Sequence, residues 1–293
     1  MKKTMSKTPR NKFTGILAGW DDLIQKGYGL EVSIDSKTAE RNAYGANPDL
    51  CSLFAKLLGQ IEKNFDTEKS SVNLAKSNWE LRRALEIRKS NPSREKQLEK
   101  RVAKLSASYE AGVRDCGPLK GWFNQVPAAS GYFESRQNRK NSIDLVHETK
   151  PEKEYAFIEL KLDPNSGWPF YATFEILSYG FLYLFTRSNA SLRERFKSPK
   201  EKQDGVLKAE KIRLIVLAPE SYYSKSEQSV RVLDEFQGSI DSALREFVEK
   251  TVQNLEMGFE FRKFTNPVTT KEEIERFQGF EPALLGARLD EHI

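Results

Sequence analysis

Cysteine and histidine are nearly absent from this chain. Among 293 residues there are two cysteines, Cys51 and Cys116, and two histidines, His147 and His292. So few cysteines, far apart and without a partner motif, exclude a disulfide scaffold and a Cys-based zinc site and suit a reducing compartment. A Ser-His-Asp triad or a two-His metal site would have to use one of the two histidines, and neither has the necessary neighbours. No stretch approaches 18 apolar residues without charge, so none is expected to span a membrane. The start, MKKTMSKTPRNKFTGILAGWDD, pairs a basic run with an apolar one. That apolar run is short and meets Asp21-Asp22 at once, so the expectation is no export signal and a cytoplasmic protein. Internal repeats and low-complexity segments are also missing.

What is present suffices for a core. Hydrophobic residues make up 38% and aromatics 11%, which is globular rather than disordered composition despite the high charge content. The net charge is only +5, but it is unevenly spread. Residues 1–110 carry 21 Lys/Arg against 14 Asp/Glu, leaving 26 and 28 of the totals of 47 and 42 for the remainder. The front third is therefore the basic part and could attract a polyanion; a helical layer with solvated Lys/Arg gives the same pattern.

The periodicity divides the chain in two. FTGILAGWDDLIQKGYG reads as a short helix closed by glycines. NPDLCSLFAKLLGQIEKNF has Leu50, Phe54, Leu57, Leu58 and Ile61 at helical spacing. SVNLAKSNWELRRALEIRK reads as a third helix with a less regular apolar pattern. SNPS at 90–93 breaks the pattern and offers Ser93 as N-cap for REKQLEKRVAKLSASYEAG. A soft boundary at SNPS gives residues 1–92 as an N-terminal helical, basic region and 93–293 as a second domain. Beyond it come GWFNQVPAASG as a short strand or turn, then the strand-like IDLV and YAFIELKL, the apolar helix PFYATFEILSYGFLYLFTR and the strand KIRLIVLAP. The helix LDEFQGSIDSALREFVEKTVQNL and the strand MGFEFRKF close the series. A helix between FIELKL and LIVLAP makes that pair a candidate parallel crossover. The expected class is α/β (mixed α+β), a central mixed sheet flanked by helices.

Two of these strands hold charges that a plain core strand would not. Side chains alternate across a strand, so Glu159 and Lys161 face one way while Ile158, Leu160 and Leu162 face the other. If IDLV pairs antiparallel with FIELKL, Asp144 lies near Glu159. Two adjacent carboxylates repel unless a cation joins them, and oxygen-only ligands favour Mg²⁺ or Mn²⁺ over zinc. Such a metal could polarise a phosphoryl oxygen and lower the pKa of a bound water. The neighbouring lysine could orient or deprotonate that water, or steady developing negative charge. A solvated cross-strand Glu–Lys pair is the plainer alternative, contributing about 0.2–1 kcal/mol without any metal.

Asp144, a gap of fourteen residues, then Glu159-Leu160-Lys161, together with the order helix, three strands, helix, strand, resembles the PD-(D/E)xK nuclease superfamily over roughly residues 93–262. The resemblance implies a restriction-endonuclease-like core and Mg²⁺-dependent hydrolysis of phosphodiester bonds in nucleic acid, DNA before RNA. It implies Asp144 and Glu159 as metal ligands, with Mn²⁺ as substitute ion, and Lys161 as the catalytic lysine. It also points to a glutamate on the first core helix, Glu99 or its rival Glu95. Glu175-Ile176-Leu177-Ser178-Tyr179 falls where a subset of members has Gln-x-x-x-Tyr, with glutamate replacing glutamine. Ile143 stands where the signature has proline.

Weaker signals surround these. Arg136, Arg139 and Lys140 precede the Asp144 strand and could grip substrate phosphates, as a solvated loop would equally explain. Trp168-Pro169-Phe170-Tyr171 could stack on an unpaired base or pack a core. Glu175 in an apolar helix wants a partner or a metal, and Tyr179 shares its face. His147 reads as a strand-end residue. Gly112 and Gly117 have phosphate-loop spacing, but Pro118-Leu119 replaces the required Lys-Ser/Thr. The expected partner is nucleic acid, without a membrane; a homo-oligomer or a larger defence or repair complex is compatible. The competing class is an interaction module on the same fold without turnover. A glycosidase with paired carboxylates leaves Lys161 unexplained.

Overall fold

The computed structural model describes residues 13–28, 46–67, 79–85, 93–111, 121–128, 142–151, 153–162, 168–196, 202–223, 227–264, 270–276 and 287–288. The front contributes α1 (Trp20–Gly27) and α2 (Leu50–Thr67). Then follow α3 (Arg94–Glu110), β1 (Trp122–Pro127), β2 (Ser142–Lys150), β3 (Glu154–Leu160) and α4 (Pro169–Ser188). Two short helices, α5 (Ala190–Phe196) and α6 (Lys202–Leu207), lead to β4 (Lys211–Ala218). The remainder is α7 (Glu220–Tyr223), α8 (Glu227–Thr251), β5 (Glu256–Lys263), α9 (Lys271–Arg276) and β6 (Ala287–Arg288).

The strands form one mixed sheet in the order β1-β2-β3-β4-β5-β6. β1, β2 and β3 pair antiparallel, as the short link between Lys150 and Glu154 requires of β2 and β3. β3 pairs parallel with β4, and β4 with β5; the long returns carry α4 and α8, as parallel neighbours need. The expected crossover between FIELKL and LIVLAP is therefore present. β6 adds only two residues, antiparallel, against Arg262 and Lys263.

Alternation along β3 divides the core. Tyr155 and Phe157 join a large apolar cluster with α2, α4 and α8, while Ala156, Ile158, Leu160 and Leu162 pack with Leu98, Val102 and Leu105 of α3 and Ile274 of α9. The sheet is thus covered on both faces. α4 starts cleanly because Pro169 sits in its first turn after the extended Trp168. It is buried on nearly every side because β4, α2 and α5 all pack against it. α1 and α2 enter the same cluster: Trp20 meets Phe181 edge-on at 5.6 Å, and Phe54 lies against Phe181 and Phe247 at 5.5 and 6.1 Å. The residues on either side of SNPS, itself partly outside the described residues, thus feed one apolar layer.

One expected element is corrected. Within the predicted third helix, residues 79–85 are not helical but run along the free edge of β1. Trp79 N–H donates to the Pro127 carbonyl at 2.8 Å, and Asn124 N–H to the Arg82 carbonyl at 3.2 Å. The Asn124 side chain accepts from Ala84 N–H and donates to its carbonyl. Distant partners therefore replace the i→i−4 bonds of a helix. Trp79 takes φ 61°, a left-handed conformation rare for a bulky residue. Its ring is fully buried, stacked on Phe157 at 6.0 Å and edge-on to Tyr183 at 5.6 Å, with the indole N–H donating to Thr186 Oγ1 at 3.2 Å. The opposite sheet edge is closed differently: Asp241 and Gln237 of α8 accept from the backbone N–H groups of Phe259 and Phe261.

Candidate active site

Antiparallel pairing of β2 with β3 sets Leu145 against Ile158, so the same register continued by one residue puts Asp144 opposite Glu159. The Asp144 carboxylate caps this end of the pair, Oδ2 accepting from the Leu160 N–H at 3.1 Å. Past Glu159 the β3 backbone stays tied to β4, Lys161 N–H donating to the Leu217 carbonyl at 3.0 Å. Lys161 thereby keeps the face that Glu159 has, as alternation predicted.

That face meets α4. The Lys161 ammonium donates to Glu159 Oε1 and to Glu175 Oε2, both at 2.7 Å. Glu159 and Lys161 are buried, which is unlike the solvated pair that sequence left open. Burial pushes the Glu159 carboxyl well above the usual range; the charges of Asp144 and Glu175 add to this, and Lys161 opposes it. Burial pulls the Lys161 ammonium down, but the attraction of Glu159, Glu175 and Asp144 wins and holds it above the ordinary lysine range. Tyr179, one turn beyond Glu175, is buried beside the same carboxylates; burial first and their charge second raise its phenol.

From the other side, α3 brings Glu99, fully buried, and Lys96. The Lys96 ammonium lies between two carboxylates, 2.8 Å from Glu99 Oε1 and 3.2 Å from Asp144 Oδ1. Burial, then the charge of Asp144, push the Glu99 carboxyl up against the pull of Lys96. Glu99 also accepts from Gln125 Nε2. Gln125 has φ 54°, a backbone conformation that residues seldom hold without support, and Arg82 Nε donates to its carbonyl at 3.0 Å. The rival Glu95 is differently employed, accepting from the Leu162 N–H at 3.3 Å and from Ser93 Oγ. It fixes the end of β3, and Glu99 is the α3 acid beside Asp144.

The structure therefore gathers Asp144, Glu159, Lys161, Glu99, Glu175 and Tyr179. Arg136, Arg139 and Lys140, together with the Gly112–Gly117 spacing and His292, lie outside the described residues. Phe170 is core, edge-on to Tyr28 and Phe174 at 5.1 Å each, and Tyr171 packs against Phe13 at 6.0 Å. His147 stacks on Trp122 at 4.1 Å. Sequence reasoning missed Lys96 and Gln125. Lys96 could have been found from its i, i+3 spacing to Glu99. Nothing in the sequence signals the contact of Gln125.

Among the described residues, no three His, Cys, Asp or Glu side chains converge as a set for a metal ion. The donor chemistry nevertheless fits a hard divalent cation. Asp144, Glu159 and Glu99 offer oxygen only, and four carboxylates, counting Glu175, face two ammonium groups. Glu99 and Glu159 are displaced upward by burial first and by the neighbouring Asp144 second. No family model, no curated protein and no solved structure matches the chain. Among the described residues, no helix is long and apolar enough to cross a membrane.

Proposed function

We propose that the chain is a Mg²⁺-dependent nuclease of restriction-endonuclease-like fold that hydrolyses phosphodiester bonds in nucleic acid, DNA before RNA. The observation that carries this reading is the convergence of Asp144 from β2 with Glu159 of β3 and Lys161 just past its end. The order of one helix, a three-stranded antiparallel meander, a helix and a parallel strand supports it.

Asp144 and Glu159 would hold the cation, with Glu99 beside them, and Mn²⁺ would serve as substitute. When bound, the metal supplies Lewis-acid polarisation of the phosphoryl group and a more acidic water. Lys161 remains an ammonium in this setting, because Glu159 and Glu175 hold its proton. Its role is accordingly to orient the attacking water and balance negative charge building on the phosphorane, not to remove a proton. Glu175 fixes the lysine from the helix side. Tyr179 keeps its proton near neutral pH and therefore does not serve as a base.

The test is a panel of labelled single- and double-stranded DNA and RNA incubated with Mg²⁺, Mn²⁺ or EDTA, using Lys161→Ala as control. Metal-dependent cleavage by wild type alone supports the reading. Equal products from both proteins, or none under any condition, overturn it. The Lys96 ammonium between Glu99 and Asp144 favours one second reading, a nuclease-fold module that binds nucleic acid or a protein partner without turnover; it predicts salt-sensitive binding with no effect of Mg²⁺.

A further inference from the structure

Lys96 and Lys161 stand on opposite sides of one acidic site but are not equally held. The Lys161 side chain is 9% exposed and pinned between β3 and α4, whereas that of Lys96 is 29% exposed. Lys96 belongs to the first turn of α3, next to the helix start. Its stem can therefore swing into solvent while Glu99, one turn on, stays in place under Gln125. The ammonium also occupies the gap between Glu99 and Asp144, the only pair of these acids contributed by α3 and β2 together.

We propose that Lys96 is a built-in counter-ion that fills the cation position between Glu99 and Asp144, and that a divalent ion enters only by expelling it. This rests on the nuclease reading of the site and adds a threshold to it. Metal-free, the lysine offsets the repulsion between the buried Glu99 and the partly buried Asp144 and ties β2 to α3. At sufficient Mg²⁺ the doubly charged ion replaces it, and the freed ammonium stands at the rim of the site. A ligand confined to a minor, lysine-out population binds more weakly by that population's fraction. If the lysine-out form is roughly one part in ten to one in a hundred, removing the lysine tightens metal binding on the order of 10- to 100-fold. The device makes the site quiet at low metal without any other partner.

Calorimetric titration of the full chain with MnCl₂ and MgCl₂ tests this, comparing wild type, K96M and K96R. The expected result is at least about tenfold tighter binding by K96M, with K96R close to wild type. Should K96M melt before titration, K96Q carries the comparison, since it too lacks the charge. Amine acetylation read by mass spectrometry gives a second readout: Lys96 should label several times faster in Mg²⁺ than in EDTA, relative to exposed Lys153. Metal binding by wild type without gain in K96M or K96Q, or without change in Lys96 labelling, overturns the counter-ion role alone. No metal binding by any variant overturns the metal site itself, and the counter-ion role with it.

Discussion

Lys161 and Glu175 form an ion pair of 2.7 Å between the residue that follows β3 and the second turn of α4. The pair ties the ExK strand to α4, and it leaves the lysine charged and Glu159 accompanied. Lys161→Ala is expected to reduce metal-dependent cleavage by roughly a hundredfold or more. It also strips Glu159 of its ammonium, a defect that costs about 3–5 kcal/mol when a buried pair loses one partner. Glu159→Gln added to Lys161→Ala should recover part of that stability but none of the activity, as read by denaturant melts beside the cleavage assay. A double variant no more stable than the single one would show that the pair is not what holds this corner.

Asp144→Asn separates charge from hydrogen bonding. Asparagine can still accept from the Leu160 N–H, so thermal stability should change by about 1 kcal/mol or less. Cleavage and divalent-ion affinity should nevertheless be lost. Retained Mg²⁺ binding in this variant would remove Asp144 from the metal site.

Glu99 gives a pH dependence with a definite sign. Its carboxyl is held above its ordinary 4.5 by burial and by Asp144, so the folded chain takes up a proton more readily than the unfolded one. Stability from this group is complete below the ordinary value and drains away as pH rises through the displaced one. Glu99→Gln cannot lose that proton. In EDTA, the melting temperature of E99Q minus that of wild type should therefore widen between about pH 4 and about pH 8. A constant difference across that range would mean that Glu99 titrates normally.

Trp79 should be among the most sensitive positions outside the site. Trp79→Ala removes a fully buried ring and a hydrogen bond to Thr186, for about 3–5 kcal/mol in a chemical melt. Trp79→Phe keeps most of the packing and should lose only about 1 kcal/mol with the indole N–H. Equal, small losses in both would place the ring outside the core.

The legible parts of this protein were those set by local pattern. IDLV, FIELKL and LIVLAP declare themselves because apolar residues in strands need no distant partner to be recognised, and a carboxylate in such a run stands out because burying it is costly. The facing of Glu159 and Lys161 followed from alternation alone. Residues 79–85 were read wrongly for the converse reason. Leu81 and Leu85 suit a helix, but Asn124, Pro127 and Thr186 capture that segment from 40 or more positions away. Gln125 was invisible because left-handed backbone is announced by glycine or asparagine, not glutamine. Lys96 pairs with Glu99 within one turn, yet its second partner, Asp144, is 48 residues on.

The two closed borders of the sheet have a consequence for assembly. Residues 79–85 lie along β1, while Gln237, Asp241 and β6 occupy the outer side of β5. Among the described residues, the outward amides of Asn124 in β1 and of Phe259 and Phe261 in β5 are already bonded within the chain. Recruitment by strand addition, the route by which many sheet proteins gain partners or aggregate, is obstructed at those positions. A strand added at either margin would first have to displace these contacts.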